Sequence, residues 1–246
     1  MRSVLTILAG FIALLGVVGC SSMTPGKMSS IQPVTTNERV GSVFLLRGWI
    51  GVFSTGIDKL GVEMNKQGVH AEVFQESQTI ALANAIAERY RNMPQHEPIV
   101  LIGHSYGADR VVEIARRLQK SGVVVDLIIT LDPVTPGKVP SNVKLAYNLY
   151  QSNGTFDSLP WLRGIPLTAD EPGPRMLKNM NIRIDRPELL EPGLDHFNIE
   201  KKKKIHDDVI AQVLQVCQMR DTWTRTHQPT NVIAISSTET PQKQAR

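Results

Sequence analysis

The sequence predicts an α/β domain: a mostly parallel central sheet with helices on both faces. Three observations carry this. Short apolar runs alternate with helical patterns of ten to fifteen residues along the middle of the chain. Two of those runs, Val43 to Leu46 and Ile99 to Ile102, are apolar throughout instead of alternating with polar residues, as strands buried on both faces are. One of them, Ile99 to Ile102, runs straight into the glycine-bounded turn Gly103-His104-Ser105-Tyr106-Gly107, and a helical pattern opens at once. A composition of 41% hydrophobic and 20% charged residues excludes a disordered or fibrous chain.

The N-terminus reads as an export signal. Arg2 precedes an uncharged apolar run from Val4 to Val18, followed by Gly19 and Cys20. The run is short for a transmembrane helix, which needs about 20 residues. The string Val17-Val18-Gly19-Cys20 resembles the lipobox of bacterial lipoproteins. That resemblance implies a signal peptide over residues 1–19 and a lipidated (palmitate-type acylated) Cys20 as the mature N-terminus; an uncleaved anchor with an incidental cysteine is the alternative. With no Asp beside the cysteine, resemblance to enterobacterial sorting favours the periplasmic face of the outer membrane over the inner membrane. Residues 20–39, rich in Ser, Thr, Pro and Lys, read as a flexible tether. There are two cysteines, so a lipidated Cys20 leaves Cys217 unpaired, and its apolar helical setting reads as core.

The folded body is expected over residues 40–219. Val43 to Leu46 reads as a buried strand, Thr55 to Lys66 as a helix and His70 to Phe74 as a second strand. Thr79 to Tyr90 carries Ile80, Ala83, Ile86, Ala87 and Tyr90 at helical spacing. After the strand at Ile99, the residues Ala108, Val111, Val112, Ala115 and Leu118 mark another helical stripe. Val123 to Leu131 is β-branched and strand-like, Val143 to Tyr150 reads as a further strand, and Ile205, Val209, Val213 and Val216 define a terminal helix. The stretch from Gln151 to Asn181 breaks the rhythm with seven Gly and Pro residues; it reads as a long loop, either a cover over a site (residues 153–181) or a surface excursion. Residues 220–246 read as a loose polar tail. The lysine run Lys201 to Lys204 is the densest part of a net charge of +4. It reads as a solvated face or a membrane contact, and without interleaved aromatics it does not suggest nucleic acid.

The chemistry centres on Ser105. A strand, a sharp turn and a helix lift the middle side chain of G-x-S-x-G above the sheet, and the two glycines remove the side chains that would collide. The helix amino end beneath it favours a developing anion. A serine hydroxyl needs a base. Of the six histidines, His70 and His96 precede the turn, His104 points away from the serine, His206 sits in a helical pattern and His227 in the tail. His196, in a loop just before the terminal helix, is the candidate. Asp132, where the strand ends in Leu131-Asp132-Pro133, is the candidate carboxylate; Asp157 is the alternative, with Asp185 and Asp195 too close to the histidine.

From Val43 to Val216 the chain resembles a minimal α/β-hydrolase, a lipase- or thioesterase-like serine hydrolase. The acid after the strand that follows the elbow helix is similar to pancreatic-type lipases, which also carry Leu-Asp-Pro there. The first two family strands are missing, as in cutinases. Arg47-Gly48-Trp49 stands where many lipases have His-Gly-x. The resemblance implies an oxyanion hole from the backbone N–H groups of Trp49 and Tyr106. It implies acyl transfer from a carboxylic or lipid ester to water, with no metal or organic cofactor, in a monomer held to the membrane by its lipid. A thioesterase or acyltransferase with the same triad, and a non-catalytic envelope lipoprotein using the fold as a binding module, are the alternatives.

Overall fold

The computed structural model describes residues 36–48, 55–93, 96–152 and 164–227. The export signal, Cys20 and most of the tether, together with Trp49, Asp157 and the last nineteen positions, lie outside the described residues. Six strands, β1 (Ser42–Leu46), β2 (His70–Phe74), β3 (Ile99–His104), β4 (Val125–Leu131), β5 (Val143–Tyr150) and β6 (Met176–Asn181), form one sheet in the order β2-β1-β3-β4-β5-β6. All five pairings are parallel. Among the described residues five α-helices accompany them: α1 (Thr55–Lys66), α2 (Thr79–Tyr90), α3 (Tyr106–Lys120), α4 (Lys203–Val216) and α5 (Arg220–His227).

Alternate side chains of the inner strands enter opposite layers, which explains why β1 and the start of β3 read as continuous apolar runs. On one face Val43, Leu45, Val100, Ile102, Leu127 and Ile129 pack under Ile57, Leu60 and Met64 of α1 and Ile205, Val209 and Val213 of α4. On the other, Phe44, Leu46, Leu101 and Ile128 pack under Leu82 and Ile86 of α2 and Val111, Val112, Ala115 and Leu118 of α3. Parallel strands with helices on both faces bring the carboxyl ends of β3, β4 and β5 to one edge, where a doubly wound sheet exposes its loops to ligand.

Four details differ from the sequence reading. Within α2 the buried stripe is Thr79, Leu82, Ala83, Ile86 and Tyr90, and Ile80 faces solvent. Strand β4 begins at Val125, two positions later than its apolar run suggested, because Val123 ends the turn after α3 and donates its N–H to the Leu118 carbonyl. Strand β6 lies inside the stretch read as loop. It is an edge strand of half-exposed residues, Met-Leu-Lys-Asn-Met-Asn, so it has neither the buried run of an inner strand nor clean alternation. The chain also stays ordered beyond residue 219. Arg220–His227 is helical although it buries no residue. It is held at its start by the Arg220 guanidinium on Glu97 and on the Asn37 carbonyl, with the Arg220 N–H donated to the Glu38 carbonyl. Polar anchoring of this kind leaves no apolar periodicity to read.

Cys217 is fully buried, as its apolar setting suggested. Burial pushes its thiol up to about 12, so it is inert as a nucleophile. The lysine run is partly engaged: Lys202 Nζ donates to the Pro192 carbonyl at 2.8 Å, Lys204 Nζ to the Glu188 carbonyl at 2.8 Å, and Lys203 pairs with Asp207. No helix among the described residues is long and apolar enough to cross a membrane.

Candidate active site

The turn between β3 and α3 is as sharp as its glycines imply. Ser105 has φ 55° and ψ −123°, a strained conformation for a residue with a side chain. A Cβ on Gly103 would stand 2.3 Å from the Gly107 carbonyl oxygen, and one on Gly107 would stand 2.5 Å from the carbonyl oxygens of both Leu46 and Arg47. Neither position admits any other residue without moving backbone. The Ser105 N–H donates to the Leu131 carbonyl at 2.9 Å, which ties the turn to the end of β4. Tyr106 opens α3, so its N–H is one of the amides at the helix start with no intrahelical acceptor.

Three side chains from distant parts of the chain meet above this turn. The Ser105 Oγ lies 3.0 Å from Nε2 of His196, and Nδ1 of His196 lies 3.3 Å from Oδ2 of Asp132. Asp132 is fully buried at the end of β4, with φ 48°. Its other oxygen, Oδ1, accepts the Gln151 N–H at 2.7 Å. Burial drives the Asp132 carboxyl upward, and the contacts from His196 and the Gln151 N–H oppose that. A carboxylate only accepts, so Asp132 facing Nδ1 selects the His196 tautomer that carries its proton there and leaves Nε2 to take the serine proton.

Around this core the sequence left several supports unseen. Gly164 touches Asp132 so closely that a Cβ there would lie 2.1 Å from Oδ1. Gln151 accepts from Arg183 Nη2 at 2.8 Å, and the same nitrogen donates to the Leu194 carbonyl at 3.1 Å, which links the Asp132 side to the loop that carries His196. Asp109 receives the N–H groups of Val134 and Thr135 and the Thr135 hydroxyl at 2.9–3.0 Å, fixing the chain just after Asp132-Pro133. A buried ion pair, Arg47 Nε to Asp58 Oδ1 at 2.8 Å, anchors the segment after β1, and the Arg47 carbonyl abuts Gly107. Trp49, expected as one oxyanion donor, lies outside the described residues. So does Asp157, and the place the sequence left for it beside His196 is taken by Asp132. These supports act through main-chain groups or through residues of ordinary composition, so spacing gives them no signal.

Glu200, four residues after His196, is also buried, and neither of its carboxylate oxygens has a hydrogen-bond partner. Burial pushes its carboxyl up to about 7. The Lys201 ammonium at 3.7 Å and the nearby amides of Glu200 and Gly56, outside bonding geometry, pull it only part of the way back. The folded value lies above the unfolded value of about 4.3, so folding favours the neutral acid. Its stabilising contribution is complete below pH 4.3 and fades as pH rises toward 7. Glu200→Gln is therefore expected to raise stability at pH 8 by about 2–3 kcal/mol and to change it little at pH 4. Urea melts of both proteins at the two pH values check this.

No family model matches the chain, and no curated protein sequence matches it. Among solved structures it is similar to Est1E from Butyrivibrio proteoclasticus, at 12% identity and TM-score 0.45, over 75% of this chain and 91% of that one. It is also similar to a hydrolase of the α/β superfamily from Xanthomonas campestris pv. campestris, at 14% identity and TM-score 0.37, over 71% and 98% of the two chains. A third is a metagenomic carboxyl esterase, at 12% identity and TM-score 0.34, over 81% of each. At such values the likeness carries neither residue roles nor substrate. The strand order, with the glycine-bounded turn after β3 and the acid after β4, decides the architecture. It is a six-stranded parallel α/β sheet covered by helices on both faces, the architecture the sequence predicts.

Proposed function

We propose that this protein is a serine hydrolase that cleaves a carboxylic ester, transferring the acyl group first to Ser105 and then to water. The observation that carries this is the continuous relay from Ser105 Oγ to His196 Nε2 at 3.0 Å and from His196 Nδ1 to Asp132 Oδ2 at 3.3 Å. As Ser105 attacks the ester carbonyl, His196 takes the hydroxyl proton and the carbonyl electrons move onto oxygen. Asp132 holds the imidazole in the right tautomer and stabilises the imidazolium. The oxyanion is received by the Tyr106 N–H at the start of α3 and, by family resemblance, by the N–H of Trp49. Each such donor is typically worth about 3–4 kcal/mol. His196 then protonates the departing alkoxide, and the alcohol leaves. A water deprotonated by His196 attacks the acyl-enzyme, releasing the acid and restoring Ser105.

The rim supports an apolar acyl or alcohol group. Phe197, half-exposed, stands edge-on to the His196 ring at 5.7 Å. A lipidated Cys20 and an envelope location, as the N-terminal sequence suggests, would place this rim near a membrane. The test is turnover of a p-nitrophenyl ester series from acetate to palmitate beside the matching thioesters. Ester turnover that rises with chain length and exceeds thioester turnover is the expected result. A preference for thioesters would move the assignment to a thioesterase, and no turnover of either by folded protein would refute a hydrolase.

A further inference from the structure

His104 is the residue of the glycine-bounded turn that the reaction leaves unused. It closes β3, is buried, and its Nε2 lies 2.8 Å from the main-chain carbonyl oxygen of His196. A carbonyl only accepts, so Nε2 of His104 carries the proton and donates it. The two rings lie against each other, with centroids 5.4 Å apart and planes tilted by 41°. Burial above all, and then the neighbouring imidazole of His196, push the His104 imidazole down to about 3. It therefore stays neutral across the working range and does not compete for the proton that His196 carries.

His196 belongs to neither a helix nor a strand. It sits on an irregular stretch before the 3-10 turn Ile199–Lys201. Its neighbours are tied to one another within that stretch: the Asn198 and Ile199 N–H groups donate to the Asp195 carbonyl, and Asn198 Nδ2 donates to the Gly193 carbonyl at 2.8 Å. The His104 contact instead ties His196's own backbone to the sheet. Two consecutive residues of one strand end thus grip the same histidine, Ser105 at its ring nitrogen and His104 at its carbonyl. Nucleophile and base share one reference point.

We propose that His104 is a positioning residue for His196, a neutral strut that holds the main chain of the base in register with the nucleophile through one buried hydrogen bond. The proposal rests on the hydrolase reading above. It makes His104 neither an acid nor a base in the reaction; it acts only through where it places His196.

The test compares His104→Gln, whose side-chain amide can donate from about the position of Nε2, with His104→Met, similar in volume but without a donor. Turnover of a p-nitrophenyl ester and thermal melting are measured for both beside wild type. In His104→Met, kcat is expected to fall about 10- to 100-fold with KM within about 2-fold of wild type, the scale on which small misplacements of a reacting group act. His104→Gln is expected to recover to within about 3-fold. His104→Asn, which is too short to reach the carbonyl, replaces the Met variant should that melt below the assay temperature. Equal losses in the donor and non-donor variants, or no loss in either, would overturn the strut while leaving the hydrolase standing. An inactive wild type would bring down both.

Discussion

Asp132→Asn is expected to lower kcat about 10⁴-fold while leaving the fold intact, the size of effect seen when the acid of such a relay becomes an amide. The reason lies in hydrogen-bond inventory. Asp132 Oδ1 is occupied by the Gln151 N–H at 2.7 Å, and Oδ2 faces His196 Nδ1. In the Asn variant the oxygen remains on the Gln151 side, where a donor already points, so the amide NH₂ faces Nδ1. That group only donates, and His196 is driven to the tautomer with its proton on Nε2, which cannot accept from Ser105. Asp157→Asn, the alternative the sequence left open, is expected to stay within about 2-fold of wild type. Steady-state kinetics on a short p-nitrophenyl ester, with circular dichroism to verify folding, separate the two.

Ser105→Ala and His196→Ala are expected to cost about 10⁵- to 10⁶-fold each in kcat, and the double variant no more than either alone. The two groups work as a unit. Without the imidazole the hydroxyl keeps its proton, and without the hydroxyl the imidazole has no partner to activate. Additive losses would mean that Ser105 and His196 serve separate steps. A small residual rate should persist, because the Tyr106 N–H at the start of α3 is untouched by either change.

Much of the architecture was legible in the sequence because inner parallel strands are buried on both faces. Val43 to Leu46, Ile99 to Ile102 and the run ending at Leu131 announce themselves by that alone. The turn at Ser105 was legible for a different reason, since no side chain fits at Gly103 or Gly107. The strand ending in Asp132-Pro133 and the loop histidine before helix α4 were readable from position, and in the structure His196 lies within hydrogen-bonding distance of Ser105 and Asp132 within reach of His196. Strand β6 was hidden because an edge strand needs no buried run, and Lys178 and Asn179 masked it. The helix at Arg220 was hidden because a guanidinium on Glu97 holds it in place of an apolar stripe. The His104 tie, the Gln151 amide on Asp132 and the close approach of Gly164 were unreadable in principle. Each depends on which main-chain atom tertiary folding brings near, and that leaves no mark on residue type.

The central claim is that Ser105 is a nucleophile activated by His196, and a fluorophosphonate tests it most directly, because its phosphorus bonds only to an activated oxygen. The measurement is the site and rate of adduct formation, by mass spectrometry of proteolytic peptides. A single adduct on Ser105 is predicted, absent in Ser105→Ala and formed at least about 10³-fold more slowly in His196→Ala. An adduct on another residue, or none on folded wild-type protein, would contradict it.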